Sequence, residues 1–437
     1  MFSPQNADLF KSYSKLENHY RSEFLQKIRE KDAKLRELNQ PVEWIASEKV
    51  HGSNFSFIVH SNNNNQTEAS QTANSSDQLQ ITISNRTTVL DKNFTNFYPE
   101  AIEEVWQRYE NSAKKLFVLI AEEAPSWFVN NLSSMPEENE STDSENVATS
   151  SQSSKEYILK KIHIYGELFG GCFPKHKVTN NEDSTKRKHI QKGVYYCPHY
   201  DFYVFDVFCS FENGEEKWAV FDHVDPLLEK ADFRVRAKPL IRGTLEECLS
   251  FDIEFNTTLP HLYYSEILDE LNIHWKEKEN LCEGVVIKAA NRNVHVGARA
   301  IIKKKNSKFL ETNPAKTKNR QPKKDRSKEV SEDYENTWQE MERYITMNRL
   351  SNVESKIGTI TRHNLSQIMK EFVSDIICDY NKDVTSEVNT DDETTDKCCK
   401  PLDQLDEADQ KKITKKLSET CMSLVKRYVN MHNSNKQ

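Results

Sequence analysis

The sequence predicts an α+β protein, in which a domain with antiparallel sheets is followed by a smaller all-α C-terminal domain. Short apolar segments such as IHIYGELFG and DFYVFDVF recur between polar turns and short helical pieces, which is typical of antiparallel sheets rather than of a βαβ repeat. Near the C-terminus the apolar residues recur at helical spacing instead. A chain of 437 residues is also too long for one ordinary core, so we expect two domains.

The N-terminal part of the chain carries both helical and strand-like patterns. A first helix is predicted by Leu16, Tyr20, Phe24, Leu25 and Ile28, which recur at helical spacing. The segments VEWIASEKV and QITISNRTTVL are apolar-rich and strand-like. A second, amphipathic helix is predicted by Ile102, Val105, Trp106 and Tyr109. Strand-like segments then return as IHIYGELFG, DFYVFDVF, KWAVFDHV and GVVIKAA.

Composition shifts mark the domain organisation. We expect one domain over residues 1–310, with polar inserts near 61–78, 132–155 and 178–190. A polar and basic linker is predicted over 311–332 and a helical domain over 333–437. Two helical faces support the last assignment, and they consist of Leu365, Ile368, Met369, Phe372 and Ile376, and of Ile413, Leu417, Cys421, Leu424 and Tyr428.

Composition and charge limit the functional class. The chain is 36% hydrophobic and 29% charged, as in soluble globular proteins with some disordered polar stretches. No apolar run is long enough to span a bilayer, and the first residues have neither an apolar signal core nor the composition of a transit peptide. We therefore expect a cytoplasmic or nuclear protein with no membrane role. The net charge of −8 does not exclude nucleic acid, because several acidic residues fall in the inserts.

The cysteines predict no metal centre. Nine cysteines are scattered between Cys172 and Cys421, and no CxxC pair occurs among them. Zinc sites usually show paired ligand spacings, so reduced intracellular thiols are the better interpretation.

The string EKVHGSNF holds a candidate nucleophile. Lys49 follows a predicted strand and stands three positions before Gly52. A lysine can attack phosphorus when its environment favours the neutral amine, and a glycine lets the backbone turn tightly beside a phosphate. Alone, the KxxG pattern is weak evidence for a nucleophile, because such a pattern forms a surface turn far more often than an active site.

Several downstream residues strengthen this interpretation. Strand-like segments supply a basic residue, two carboxylates, an aromatic ring and further lysines, in the order Arg86, Glu167, Phe205, Glu283, Lys288, Lys303 and Lys305. Lys303 and Lys305 would point to the same face of a strand and could reach one phosphate group. Taken singly, each residue has an ordinary structural explanation, as a core ring, an exposed carboxylate, a solvated basic run or a surface ion pair. Those explanations do not predict the whole set in order around one lysine.

The set resembles the covalent nucleotidyltransferases, and among them the RNA ligase 2 family, which includes the kinetoplastid RNA-editing ligases. The resemblance runs in order through YSKLENHY, EKVHGSNF, YGELFGG, DFYVFD, EGVVIK and KKKNSKF, and MNRLSNVESKIG is similar to the helical C-terminal domain of that family. It implies an N-terminal nucleotidyltransferase (ATP-grasp-like ligase) domain. The sequence departs from the family in its long inserts, one of which precedes Arg86, and in Ser53, which stands where the family usually has threonine.

The resemblance also implies a role for each site residue. Lys49 would accept AMP, Glu283 would support metal-assisted catalysis, and Lys303 and Lys305 would contact phosphates. The remaining residues would bind the nucleotide or help transfer AMP to the RNA end: Glu48 and Val50 at adenine, Phe205 stacked on it, Glu167 at ribose, Asn54, Arg86 and Lys288 at phosphates, and His51 beside the nucleophile.

The implied activity is ATP-dependent sealing of 3′-hydroxyl and 5′-phosphate RNA ends, with a preference for nicks in duplex RNA. ATP and Mg²⁺ (or Mn²⁺) would be required, RNA would be the partner, and a monomer is favoured. The basic tract over 316–328 would either contact the RNA backbone or be a solvated linker. A capping guanylyltransferase or a DNA ligase would have a β-barrel where this chain is helical. A catalytically inactive RNA-binding relative is the alternative, and the intact lysines and glutamates argue against it.

Overall fold

The computed structural model describes residues 9–61, 79–90, 97–129, 157–178, 185, 187–312, 331–387 and 399–434. The inserts predicted near 61–78 and 132–155 fall almost entirely outside these residues, and the one near 178–190 falls partly outside. Most of the predicted linker, with the basic tract over 316–328, also lies outside the described part of the chain.

Two sheets form the N-terminal part. A five-stranded sheet has the order β1-β11-β10-β2-β9, and its strands are β1 (Glu17–Asn18), β2 (Trp44–Glu48), β9 (Pro239–Gly243), β10 (Gly284–Ala289) and β11 (Ile301–Lys305). A six-stranded sheet has the order β5-β4-β3-β6-β7-β8, and its strands are β3 (Ser53–Ser61), β4 (Leu79–Asn85), β5 (Val89–Leu90), β6 (Leu159–Gly170), β7 (Tyr200–Phe211) and β8 (Glu216–Trp218). The pairs are antiparallel except for β1 with β11, so the predicted antiparallel α+β architecture is confirmed.

Ten α-helices occur in the described residues. Those of the N-terminal part are α1 (Ser22–Glu37), α2 (Pro99–Val129), α3 (Phe221–Lys230), α4 (Leu245–Ser250), α5 (Leu259–Tyr263) and α6 (Ser265–Glu270). The C-terminal part contains α7 (Glu332–Met341), α8 (Met347–Ile357), α9 (Leu365–Glu387) and α10 (Glu407–Ser434). The predicted helical C-terminus is therefore confirmed. None of the described helices is long and apolar enough to cross a membrane.

Each sheet has its own core. Helix α2 lies against the six-stranded sheet, where Phe55, Phe57 and Phe202 are fully buried. Helix α1 places Leu25 and Ile28 in the core of the five-stranded sheet. Since each core buries one face of its sheet, the opposite faces are left to form a cleft between the two sheets.

The C-terminal helices have a separate core. Both predicted helical faces supply it, through Ile368, Phe372, Ile376, Ile413 and Leu417. Leu365, Met369, Leu424 and Tyr428 pack against this core while they stay partly exposed. The periodicity was therefore sufficient to identify the buried sides of α9 and α10.

Two of the local predictions were wrong. The first helix begins at Ser22 rather than near Leu16, because the preceding segment is extended and pairs through Glu17 and Asn18 with β11. The segment KWAVFDHV is a strand only up to Trp218, and Phe221 begins helix α3. An apolar run this short does not distinguish a strand from the first turn of a helix. The cysteines in the described residues form no disulfide with one another.

Candidate active site

The twelve predicted site residues line one cleft between the two sheets. They come from strands of both sheets and from the turns next to them: Glu48, Lys49, Val50, His51, Asn54, Arg86, Glu167, Phe205, Glu283, Lys288, Lys303 and Lys305. The order along the chain therefore corresponds to a cluster in space. Their individual roles stay predictions.

Lys49 is placed by the end of β2. Its backbone N–H donates to the carbonyl of Gly284 at 2.9 Å, where the pairing of β2 with β10 ends. Its Nζ lies 2.7 Å from Oε2 of Glu283, the residue just before β10. The side chain of Lys49 is 20% exposed, so its amine faces the cleft instead of being sealed in the core.

Two glycines allow the backbones around Lys49 to approach closely. A Cβ at Gly52 would lie 2.2 Å from the carbonyl oxygen of Leu168 and 2.8 Å from Cγ of Glu167. Gly284 has a φ of +144°, and a Cβ there would lie 2.0 Å from the carbonyl oxygen of Lys304. Any side chain at either position would push apart the strands that bring Glu167 and Glu283 to the lysine.

Glu283 is the centre of the charged network. Its Oε1 lies 3.0 Å from Nζ of Lys305, and its Oε2 lies 3.3 Å from Nδ1 of His51. Burial by itself would raise the pKa of Glu283, but the ammonium groups of Lys305 and Lys49 outweigh it and hold the pKa well below its usual range. The carboxylate is therefore ionised at neutral pH.

The lysines of β11 alternate as predicted. Lys303 and Lys305 face the cleft, while Lys304 on the opposite face donates to the carbonyls of Leu249 and Phe251, both at 2.8 Å. Burial lowers the pKa of Lys303 to about 8, although Glu311 opposes the shift. The cleft thus receives two adjacent cations from one strand.

Strands β3 and β6 form the opposite wall. Asn54 and Glu167 are cross-strand partners, which places both side chains at the same point of this wall. Burial raises the pKa of Glu167 to about 7, even though Lys49 favours its charged form. Arg86 is exposed and follows Asn85, whose side-chain oxygen accepts from the amides of Thr87 and Thr88 and so fixes the turn.

A register shift in β7 directs Phe205 towards the cleft. Asp206 pairs with Tyr165 and Val204 pairs with Gly166, so Phe205 is an extra residue between them. The carbonyl of Phe205 accepts from Nζ of Lys288 at 2.7 Å. Lys288 therefore lies at the Phe205 end of the cleft, whereas Lys303 and Lys305 lie near Glu311.

The side chain of Glu48 points away from Lys49. Its carboxylate accepts from the hydroxyls of Thr257 and Thr258 and from the backbone N–H of Thr258. Burial raises its pKa to about 7 against these hydrogen bonds. The carbonyl of Glu48 accepts from the hydroxyl of Tyr203, so both polar groups of Glu48 already have partners.

The sequence interpretation missed the contribution of the C-terminal helices. Helix α8 crosses the cleft: the carbonyl of Ser355 accepts from Oγ of Ser53, and the carbonyl of Lys356 accepts from Nδ2 of Asn85 at 3.3 Å. The further cleft residues that were not predicted include Tyr13, Lys15, Glu311, Asn352, Asp375 and Asp379. The motifs YSKLENHY and MNRLSNVESKIG contain three of them, so a signal was present, but no spacing rule indicated that either motif reaches the cleft.

One group of carboxylates lies close enough together to hold a cation. Oxygens of Glu311, Asp375 and Asp379 lie within 4.8 Å of one another. Arg349 already lies among them, with its Nη1 at 3.0 Å from Asp379 and in contact with Asp375. Since the guanidinium supplies the positive charge there, the group is an ion-pair network and not a vacant metal site.

Two family models match this chain. The RNA ligase family matches residues 42–305, and the family described as T4 RNA ligase 2 C-terminal matches residues 328–423. RNA-editing ligase 1, mitochondrial, of Trypanosoma brucei brucei is 31% identical over 179 residues, which are 36% of this chain and 36% of that protein. RNA-editing ligase 2, mitochondrial, of the same organism is 32% identical over 117 residues, which are 24% of this chain and 28% of that protein.

These matches span about a third of the curated relatives. Among solved structures, Naegleria gruberi RNA ligase with PPi is similar at a TM-score of 0.28 and 13% identity, over 71% of this chain and 58% of that one. A mutant of the same ligase with ATP and Mn has a TM-score of 0.30 and 12% identity, over 71% and 58% of the two chains. Because the RNA ligase family model matches residues 42–305, the chain belongs to the RNA ligase family.

Proposed function

We propose that this protein is an ATP-dependent RNA ligase that joins a 3′-hydroxyl to a 5′-phosphate through AMP bound covalently to Lys49. The observation that carries the proposal is the position of Lys49, whose Nζ lies 2.7 Å from Glu283 in a cleft that also holds Lys303, Lys305 and Arg86. A nucleophilic amine among cations that suit a polyphosphate fits nucleotidyl transfer better than any other chemistry of these residues.

In the first step the amine of Lys49 attacks the α-phosphorus of ATP. A phosphoramidate bond forms, the bond from the α-phosphorus to the oxygen that it shares with the β-phosphate breaks, pyrophosphate leaves, and the proton lost by the lysine nitrogen passes to solvent. Because negative charge is spread over the phosphate oxygens, the protein contributes positioning and positive charge, which Lys303 and Lys305 supply from one side of the cleft. Phe205 offers a ring for the adenine, and Glu167 offers a carboxylate for the ribose.

The two later steps transfer and then release AMP. A 5′-phosphate of RNA attacks the phosphorus held by Lys49, which frees the amine and leaves AMP joined to the RNA end. A 3′-hydroxyl then attacks that 5′-phosphate, a phosphodiester forms and AMP departs. His51 lies 3.3 Å from Glu283 and lines the cleft next to Lys49, where it can assist the transfer to RNA.

A divalent cation, Mg²⁺ or Mn²⁺, suits these residues. Glu283 presents carboxylate oxygens in the cleft, and oxygen is the donor that both ions accept; an ion bound to Glu283 would replace its contact with Lys49, the more exposed of its two lysines. When bound there, such an ion would offset the charge of the transferring phosphate.

We propose a nick in duplex RNA as the preferred substrate. Helix α8 lies across the cleft through the contacts of Ser53 and Asn85, so a bound RNA end would meet both parts of the protein. RNA contacts should be made mostly to phosphate and sugar and should weaken with salt. The second candidate, a catalytically inactive RNA-binding relative, would not need the amine of Lys49 at all.

The test is labelling of the purified protein with α-labelled ATP or GTP and magnesium, followed by a denaturing gel. Wild type should be labelled by ATP and not by GTP, and Lys49→Ala should carry no label. The exposed Lys34→Ala on helix α1 is the matched control and should be labelled like wild type. Absence of label on wild type, even after pyrophosphate has removed bound AMP, would overturn the enzyme proposal. Sealing of a nicked RNA duplex against single-stranded RNA then tests the substrate.

A further inference from the structure

One carboxylate at the edge of the cleft joins the two parts of the molecule. Glu311 follows β11 closely, and its Oε1 lies 2.5 Å from Nζ of Lys305 and 3.9 Å from Nζ of Lys303. The same oxygen accepts from Nδ2 of Asn352 in helix α8 at 2.8 Å, and its Oε2 lies 3.9 Å from Nη2 of Arg349. Two lysines of the sheet domain and two residues of the C-terminal helices therefore share this group.

The backbone beside Glu311 is held by the same helix. The hydroxyl of Thr346 donates to the carbonyl of Glu311 at 3.0 Å, and Nδ2 of Asn348 donates to the carbonyl of Leu310 at 2.9 Å. Burial would raise the pKa of Glu311, but Lys305, Lys303 and Arg349 together hold it well below its usual range. A fixed, ionised carboxylate thus lies against the cations on which the proposed function relies for binding phosphate.

We propose that Glu311 is an anionic latch: it holds the C-terminal helices over the cleft by binding Lys303 and Lys305, and the phosphates of an incoming nucleotide compete with it for these lysines. The proposal rests on the proposed function for the identity of the competing anion. Lys305 has three N–H donors and already binds both Glu283 and Glu311, so a multiply charged phosphate that binds there would be repelled by the Glu311 carboxylate and would compete with it for the charge of the lysine.

Competition for Lys303 and Lys305 couples nucleotide binding to the attachment of the C-terminal helices. Because coupling free energies are reciprocal, an anion that displaces Glu311 must weaken the interface with the C-terminal helices, and loosening that interface must favour the anion. Other contacts of α8, such as those of Ser355 and Lys356, involve hydroxyl, amide and carbonyl groups and would not compete with phosphate. Ion pairs of Lys15 with Asp379 and of Arg21 with Asp383 also join the two parts, but the contact at Glu311 is the one made to Lys303 and Lys305, on which the proposed function relies.

The test measures ATP affinity by calorimetry in the Lys49→Ala background, where binding cannot proceed to transfer. Glu311→Gln removes the charge and keeps the shape, and it should bind ATP about tenfold more tightly, the scale of one charge-assisted hydrogen bond. Glu340→Gln is the matched control, because Glu340 pairs only locally with Arg343 in the described residues and should leave the affinity unchanged. Inorganic pyrophosphate is titrated in parallel as the anion without a nucleoside.

Small-angle scattering supplies the second readout. Glu311→Gln without nucleotide should have a larger radius of gyration than wild type, and so should Asn352→Ala, which removes the donor on the C-terminal side. Unchanged or weaker ATP and pyrophosphate affinity in Glu311→Gln would overturn the latch, whether or not wild type is labelled by ATP. If wild type takes no label but Glu311→Gln binds pyrophosphate more tightly, the latch stands and the ligase proposal fails.

Discussion

Two carboxylates, Glu283 in the cleft and Asp206 behind the Phe205 end of it, are both buried but have different partners. Asp206 has a side chain that is 1% exposed and lies 2.5 Å from Nη1 of Arg299 and 3.6 Å from Nζ of Lys288. Glu283 has a side chain that is 2% exposed and lies 2.7 Å from Nζ of Lys49 and 3.0 Å from Nζ of Lys305. Burial opposes ionisation of both, and the neighbouring cations lower the pKa of both.

The partners show which carboxylate belongs to the chemistry. An arginine does not lose its proton in a protein, and Arg299 is nearly as buried as Asp206, so this pair is permanent. Lysine can become a neutral amine, and Lys49 is open to the cleft. A buried ion pair is therefore no evidence of a reactive site by itself, but one whose cation is a partly exposed lysine identifies a candidate.

The largest expected effect on activity is at Glu283, because Glu283 faces Lys49 and Asp206 does not. Glu283→Gln keeps the size of the side chain and removes the charge that faces Lys49, and we expect it to slow AMP transfer to Lys49 by about 10²–10³-fold, the scale for losing one electrostatic group of an active site. The rate of labelling with α-labelled ATP measures this. A labelling rate close to that of wild type would show that Glu283 only balances charge, as Asp206 does.

An effect of comparable size should appear in stability. Asp206→Asn leaves Arg299 and Lys288 without their buried counter-charge, and breaking such a pair costs about 3–5 kcal/mol. The free energy of unfolding in urea measures the loss, with Glu283→Gln as the comparison variant, because there Lys305 keeps Glu311 and Lys49 can reach solvent. If Glu283→Gln is destabilised as strongly, the proposed difference between the two carboxylates is wrong.

A smaller effect concerns the N-terminal segment. The hydroxyl of Tyr13 donates to Oδ2 of Asp206 at 2.9 Å, and its ring lies 4.9 Å from that of Phe205. Tyr13→Phe removes only the hydroxyl and should lower the free energy of unfolding by about 1 kcal/mol. Tyr20→Phe is the control, since Tyr20 is half exposed and no hydrogen bond of its hydroxyl is seen among the described residues. An equal change in both variants would mean that the contact with Asp206 adds nothing specific.

Spacing rules predicted only part of what lines the cleft, and the resemblance to the family indicated the rest. Lys303 and Lys305 share a face since side chains alternate in a strand, and the helical faces of α9 and α10 follow from their period. The extended segment before Ser22 was missed because its conformation depends on pairing with β11, which is distant in the sequence.

Long-range charge pairing was equally hidden. Glu311 was assigned to a linker, yet its carboxylate reaches Lys305 on one side and Asn352 on the other. Asp206 likewise pairs with Arg299, a residue that no motif indicated. A sequence pattern predicts which face of a helix or strand a residue occupies. It does not predict which charged residue, distant in the sequence, that residue contacts.

The last prediction tests whether Glu167, on the other wall of the cleft, behaves unlike Glu283. Burial raises the pKa of Glu167 from an ordinary value near 4.5 to about 7, so the native protein holds this proton more tightly than the unfolded chain does. The resulting stabilisation is complete below about pH 4.5 and is lost as the pH rises to about 7. Glu167→Gln cannot lose a proton, so the unfolding free energy of wild type should fall relative to the variant across that window, as measured in urea at several pH values. A rise instead would mean that the cations nearby keep Glu167 ionised, as Lys49 and Lys305 do for Glu283.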